Sequence, residues 1–278
     1  DITLDNCIYG EGKFLYVSPE RLKTELFLAR AKQMTIGLLA VDEAHCISQW
    51  GYDFRPAYLD IATLQEELHI PNCIALTATA TLPVRDDIID KLEMQKPEVF
   101  VKSFARANLS YSVFEEQNKE KRLVDILKSV PGSAVVYAGT RKHTRSFAQL
   151  LQQAGLSADY YHGGLSNEER TAKQDNWIQN RTRIIVATNA FGMGSDKPDV
   201  RLVVHIDLPQ SLEAYYQEAG RGGRDERKAY AVLLYQEADI ELLEKRVEGS
   251  YPAVETIRTI YQALANYYKL AVGSGYME

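Results

Sequence analysis

The sequence predicts an α/β protein with two parallel-sheet domains, the first of them incomplete. Three observations predict this. Short apolar runs alternate with longer amphipathic stretches along the chain, the pattern of strands covered by helices. Most of the short runs are predominantly apolar, which suggests a parallel sheet covered by helices. The rhythm breaks once, at Ser103–Asn108, with four strand candidates before the break and six after it. The six strands after the break make a complete sheet and the four before it do not look like one, so residues 1–105 are taken as a partial domain, 106–248 as a complete one, and 249–278 as a helical extension.

In the first half the strand candidates are Phe14–Val17, Ile36–Val41, Cys73–Thr77 and Val99–Lys102. Helices are expected over Pro19–Arg30, Tyr58–Leu68 and Leu82–Leu92. Ser18-Pro19 suits a helix start, with a capping hydroxyl before proline at the first helical position, and Thr81 and Pro83 do the same for the last of the three. In the second half the spacing gives strands at Leu109–Phe114, Ala134–Tyr137, Ala158–Tyr161, Arg183–Ala187, Leu202–Ile206 and Ala231–Tyr235. Helices fit Lys119–Ser129, Arg141–Gln153, Glu168–Ile178, Leu212–Ala219 and Asp239–Val247. Ala253–Leu270 reads as a further helix carrying Tyr261, Tyr267 and Tyr268, which suit a packing face or a base-stacking surface.

Bulk properties narrow the function classes. The 278 residues suffice for two cores, and 45% hydrophobic with 25% charged residues is ordinary globular composition. A net charge of −6 argues against a generally basic nucleic-acid coat, so any such binding must come from local clusters. Cys7, Cys46 and Cys73 lack metal-site or disulfide-framework spacing and read as buried free thiols in a reducing compartment. No apolar run reaches the ~20 residues needed to span a bilayer. The first residues lack a basic n-region and an apolar h-region, and there is no initiating Met, so a cytoplasmic fragment or processed product is expected.

Val41-Asp42-Glu43-Ala44-His45 ends a buried strand with two carboxylates, at the edge where α/β folds bind ligands. In phosphoryl transfer an Asp there holds Mg²⁺, and an acidic neighbour orients or deprotonates the attacking water. His45 is either a hydrogen-bonded structural histidine or a link from that site to its neighbours. Cys46–Pro56 follows at once, with Gln49, Trp50, Tyr52, Phe54 and Arg55 in one irregular segment. Its rings could stack bases while Arg55 holds a phosphate, or Trp50 and Phe54 could simply pin the loop to the core. Thr77 and Thr79, in Thr77–Thr81, are either short hydrogen-bonding reporters or a helix-capping cluster.

In the second half, Val186–Asp196 runs from a strand into a loop bearing Gly192 and Gly194, where backbone can approach a ligand closely. Asp196 suits a ribose hydroxyl or an arginine partner. Tyr215–Asp225 supplies Gln217, Arg221 and Arg224, and arginines three apart across Gly-Gly suit phosphate oxygens. Arg141, Lys142, His143 and Arg145 form a smaller basic cluster, equally a phosphate contact or a solvated face. Nothing matches G-x-x-x-x-G-K-[ST], the loop that cradles nucleotide phosphates. Gly10-Glu11-Gly12-Lys13 has the wrong spacing and reads as a turn before a strand.

On these residues the chain resembles the RecQ family of superfamily 2 DNA helicases, from about Leu4 to Glu248. Val41–His45 is similar to the family's motif II and Cys46–Pro56 to its aromatic-rich loop. Leu76–Thr81, Ala134–Arg141, Ile185–Pro198 and Tyr215–Asp225 are similar to motifs III, IV, V and VI. The resemblance implies two RecA-like lobes of P-loop NTPase type and 3′→5′ DNA unwinding driven by ATP and Mg²⁺, in repair or recombination. It implies Asp42 as Mg²⁺ ligand, Glu43 as water activator with His45 beside it, and Gln217, Arg221 and Arg224 completing the site. Gly194 and Asp196 would join the arginines at the nucleotide. Gln49, Trp50, Phe54, Arg55, Thr77, Thr79 and Arg141 would meet single-stranded or partly duplex DNA.

Asp196 stands where many members have Asn. The family's adenine-reading motif, phosphate loop, zinc-module cysteines and winged helix have no counterpart in these 278 residues. The isolated polypeptide is therefore expected to hydrolyse ATP poorly, with no zinc site and no membrane partner. Two other classes compete. A catalytically inactive nucleic-acid-binding or regulatory module would keep the DNA face, and an α/β metabolic enzyme would bind a small metabolite and ignore single-stranded DNA.

Overall fold

The computed structural model describes residues 2–50, 53–103, 105–192, 196–250 and 252–267. The chain divides into two compact units, residues 1–105 with 211–217, and 106–210 with 218–278.

The first unit contains α1 (Ile2–Tyr9), α2 (Glu25–Ala31), β1 (Leu39–Val41), α3 (Ile61–Glu67), β2 (Cys73–Ala75) and α4 (Leu82–Lys91). Short 3₁₀ turns occupy Pro19–Arg21, Ala44–Ile47 and Pro56–Asp60. β1 and β2 pair in parallel, Leu39 opposite Cys73. The core is built from helix faces: Leu4, Phe27, Ile61, Leu64, Val84 and Ile88 close around Val41 and Ile47.

Two expected strands are absent. Phe14–Val17 and Val99–Lys102 pair with nothing among the described residues, and Phe14, Tyr16 and Phe100 are 83%, 93% and 88% exposed. Apolar, β-prone residues make a strand only when a neighbour takes their backbone groups, and that condition is not met here, although Leu15 and Val17 pack against the core. Ile36–Val41 and Cys73–Thr77 shorten for the same reason to the three residues that pair. The helix expected over Pro19–Arg30 is split, because Thr24 is extended (φ −72°, ψ 132°) and restarts it. α1 was not predicted. Its Ile2 and Thr3 are modest helix formers, and tertiary contact carries it through buried Leu4 and an Asp5–Arg30 ion pair at 2.9 Å.

The second unit matches its pattern closely. It runs β3 (Leu109–Glu115), α5 (Lys119–Ser129), β4 (Ser133–Tyr137), α6 (Arg141–Gln153), β5 (Ala158–Tyr161), α7 (Asn167–Ile178), β6 (Ile184–Ala187) and β7 (Val200–His205). After α8 (Leu212–Ala219), most of which clusters with the first unit, come β8 (Ala229–Tyr235), α9 (Glu237–Ser250) and α10 (Val254–Tyr267). The strands form one parallel sheet in the order β3-β8-β7-β4-β6-β5. β4 and β6 are buried along their whole length. Leu123, Leu127, Ala148 and Leu151 belong to one core cluster of this sheet, and Tyr161, Trp177 and Phe191 to another.

Three helix starts of the second unit follow local chemistry, whereas the expected caps Ser18 and Thr81 make no side-chain cap bond. Asn118 accepts from Lys121 N at 3.0 Å, Thr140 from His143 N at 3.1 Å, and Ser166 forms a reciprocal capping box with Glu169. The chain leaves β4 for β5 and β6 on one side and for β7 and β8 on the other, so β4 and β7 flank a topological switch point where such sheets bind ligands. Among the described residues no helix is long and apolar enough to cross a membrane.

Candidate functional site

In the first unit the functional candidates gather where β1 and β2 end. Val41 is the last residue of β1, and Leu76 N donates to its carbonyl at 2.8 Å while Ala44 N donates to Leu76 O at 2.9 Å. That exchange forces a tight turn through Asp42 and Glu43. Glu43 takes the left-handed conformation (φ 48°, ψ 43°), a costly state for a residue with a side chain and one that clusters at functional sites. The exposed Asp42 carboxylate accepts the Glu43 N–H at 2.9 Å, and the Tyr58 hydroxyl donates to Asp42 O at 3.2 Å. His45 Nδ1 lies 3.0 Å from Thr77 Oγ1 and 3.4 Å from Glu43 Oε2, so the histidine joins the ends of the two strands. Gln217, which clusters with this unit, places Nε2 3.3 Å from Glu43 Oε1.

Asp42 fits a magnesium ion. It offers a hard, exposed carboxylate oxygen, and Mg²⁺ is commonly held by one or two carboxylates with water and phosphate oxygens. Among the described residues no cluster of three or more His, Cys, Asp or Glu could cage a metal by itself, so only that shared mode suits Asp42.

His45 is buried, and desolvation pulls its pKa below the ordinary value of about 6.5. The Asp53 and Asp42 charges oppose that shift and Arg55 adds to it. On acidification the unfolded chain takes up this proton before the folded one does. The stability held by neutral His45 is thus present above about pH 6.5 and falls as pH drops through that value toward the lower folded pKa. Denaturation curves from pH 7.5 to 5.5 should show this decline, and His45→Gln should flatten it. An equal slope in the variant would exclude the assignment.

Among its described residues the aromatic-rich loop is fastened by polar groups. Ser48 Oγ donates to Asp87 Oδ2 at 2.7 Å, Arg55 N to Cys46 O at 2.8 Å, and the Arg55 guanidinium to Asp53 Oδ2 at 2.8 and 3.2 Å. Trp50 is 79% exposed, so of the two suggested pins it is not one. Phe54 and Arg55 are half-buried and Gln49 is exposed. Thr79 is half-buried, its N–H 3.4 Å from Thr77 Oγ1. Burial raises the Cys46 thiol to about 11 and the Tyr58 hydroxyl to about 12, so both stay protonated.

In the second unit the two arginines occupy different settings. Arg221 Nη1 donates to Gly192 O at 2.7 Å, and a Cβ on Gly192 (φ 133°) would sit 2.0 Å from Nη2. Arg224 Nη1 pairs with Asp196 Oδ1 at 2.7 Å, so of its two suggested uses Asp196 here has an arginine partner. Arg141, at the start of α6, is exposed and lies over Gly164, where a Cβ would meet Nη1 at 2.7 Å. Gly194 lies outside the described residues.

The sequence did not single out the groups that shape the arginine loop. Arg106 donates to Gly220 O at 2.8 Å and to Gly223 O, and Asn108 Nδ2 donates to Gly223 O at 2.7 Å and Arg227 O at 2.9 Å. Both residues sit in or beside the segment that breaks the strand rhythm, and their partners are over a hundred residues away, so no local pattern announces them. Gly223 is left-handed (φ 61°), and a Cβ would meet Asn108 Nδ2 at 2.6 Å and Arg227 O at 2.7 Å. Gly223→Ala should cost about 1–3 kcal/mol in denaturant unfolding of this unit. An unchanged midpoint would contradict that packing.

A sequence model of DEAD/DEAH box helicases matches residues 4–88, and one of the helicase conserved C-terminal domain matches residues 118–226. The chain is 39% identical over 256 residues to the probable ATP-dependent DNA helicase RecS of Bacillus subtilis, covering 91% of this chain and 52% of that protein. It is 41% identical over 243 residues to the ATP-dependent DNA helicase RecQ of the same organism, covering 87% and 41%. Among solved structures, the Mycobacterium smegmatis helicase Lhr bound to ssDNA and AMP-PNP aligns with a TM-score of 0.65 at 24% identity, over 86% of this chain and 34% of that one, a likeness of fold. The chain belongs to the RecQ family of superfamily 2 helicases. It spans about half the length of RecS and about two fifths of RecQ.

Proposed function

We propose that this chain is part of an ATP-dependent DNA helicase that unwinds in the 3′→5′ direction and serves repair or recombination in the cytoplasm, at the nucleoid. Asp42 is the Mg²⁺ ligand, and the bound ion would neutralise charge on the transferred phosphoryl group. Glu43 accepts the proton of the attacking water, with Gln217 and His45 fixing its carboxylate. Arg221 and Arg224 stabilise charge on the phosphoryl oxygens, assisted at the nucleotide by Asp196 and Gly194. Exposed Trp50 stacks a base, Gln49, Phe54 and Arg55 complete the DNA face of the loop, and Thr77, Thr79 and Arg141 contact the strand. Thr77 has a second task, because its hydroxyl reaches His45 and links the DNA side of the turn to the water-activating side.

The observation that carries this reading is Glu43. A left-handed glutamate held 3.3 Å from Gln217 Nε2 and 3.4 Å from His45 Nδ1 is strained, and the strain aims its carboxylate. No phosphate-cradling loop occurs in the 278 residues, so we expect ATP turnover only when such a loop is supplied by further polypeptide. The test uses a polypeptide joining this chain to a phosphate-loop segment, given duplexes tailed at one end. Unwinding of 3′-tailed DNA that needs ATP is expected. Unwinding of 5′-tailed duplexes alone, or none with DNA binding intact, would reject the polarity or the motor.

A further inference from the structure

We infer that His205 and Glu218 are positioning residues for Arg221, holding both its backbone and its guanidinium from the buried centre of the sheet. The use to which Arg221 is put rests on the function proposed above, but the arrangement lies wholly within the second unit.

His205 closes β7 and is 1% exposed. Its Nε2 lies 2.8 Å from Glu218 Oε2, in the last turn of α8, and the Glu218 side chain is 12% exposed. Glu218 meets the arginine through the main chain, since Arg221 N donates to Glu218 O at 3.3 Å. The other branch passes through Tyr137, the last residue of β4. Its ring stacks on the His205 ring at 5.1 Å and 21°, and its hydroxyl donates to Phe191 O at 3.2 Å. The next residue, Gly192, supplies the carbonyl that receives Arg221 Nη1 at 2.7 Å. Burial holds the Tyr137 hydroxyl far above its usual pKa, while the Arg221 charge acts on it in the opposite sense. Both ends of Arg221 therefore trace back to the facing ends of β4 and β7.

Two features separate this from ordinary core packing. A buried histidine–carboxylate pair is weak evidence for stability, because apolar residues of similar volume often hold a fold equally well. A pair of fixed geometry instead specifies where its attachments lie. The groups it fixes flank a glycine that cannot become alanine without striking the guanidinium. A functional arginine must be held to within fractions of an ångström, and displacement by about 1 Å can cost about 10²-fold in rate.

The experiment reads Arg221 directly in the 278-residue chain by NMR of the arginine Nε–Hε group, assigned by its loss in Arg221→Lys. We expect exchange with water at least about tenfold faster in His205→Ala than in wild type, as local opening grows easier, with the backbone amide spectrum retained. His205→Gln, which keeps a donor for Glu218, should restore slow exchange. Unchanged exchange in a folded His205→Ala would overturn the inference. Should that variant unfold, Glu218→Ala, which removes the acceptor for His205 Nε2, decides in its place, faster exchange supporting the inference and unchanged exchange overturning it.

A second readout uses the phosphate-loop-bearing polypeptide. There His205→Ala should lower kcat about 10²-fold with KM for ATP little changed. An unaltered kcat beside a loosened Arg221 would also overturn the inference. The NMR readout needs no ATP, so its failure leaves the motor reading standing. Turnover indifferent to Arg221→Ala would sink the motor reading and leave the NMR result untouched.

Discussion

Arg221→Ala is expected to reduce ATP turnover by about 10³–10⁵-fold in a polypeptide that carries a phosphate loop, with ATP affinity changed far less. The planar guanidinium presents paired donors to phosphoryl oxygens whose charge grows in the transition state, so its loss falls on kcat. Lysine should not rescue it, because a compact ammonium cannot reproduce the flat seat against Gly192. Arg224 is more exposed and already paired with Asp196, so Arg224→Ala should cost less. Single-turnover and steady-state kinetics on the two variants check this. Equal losses would show that the settings of the two arginines do not matter, and no loss from Arg221→Ala would remove it from the reaction.

Glu43→Gln is expected to abolish detectable turnover while ATP still binds. General-base catalysis contributes about 10²–10⁴-fold, and the amide keeps the shape of the carboxylate while losing its capacity to take a proton. The substitution also tests the strain argument. Glu43 is left-handed because Ala44 N must reach Leu76 O, and glutamine preserves that turn, so unfolding midpoints should stay close to wild type. A variant that lost stability and kept turnover would assign Glu43 a structural task instead.

The second unit was almost fully legible because its central strands, β4, β6 and most of β7, are buried on both faces. Runs such as Val135–Tyr137 and Ile184–Ala187 must be apolar throughout, and a continuous apolar run between helix signals has few other uses. The first unit was less so. Phe14–Val17 and Val99–Lys102 have strand composition, but composition does not say whether a pairing edge is at hand. Asp42, Glu43, Gln217, Arg221 and Arg224 stood out because their chemistry is local and their spacing unusual. What could not be read was conformation and distance: the left-handed backbone of Glu43, the exposure of Trp50, the hold of Arg106 and Asn108 on Gly223, and the pairing of His205 with Glu218. Each depends on residues brought together by the sheet rather than by sequence neighbourhood.

The most direct test of the account is ATP hydrolysis stimulated by single-stranded DNA, measured on the 278-residue chain alone and on the same chain joined to a phosphate-loop segment, each with its Glu43→Gln counterpart. The account predicts no turnover above the Glu43→Gln background for the chain alone. It predicts DNA-stimulated turnover for the joined form that vanishes in the variant. Turnover by the joined form that survives Glu43→Gln, or a joined form that binds ATP and DNA without hydrolysis, would contradict it.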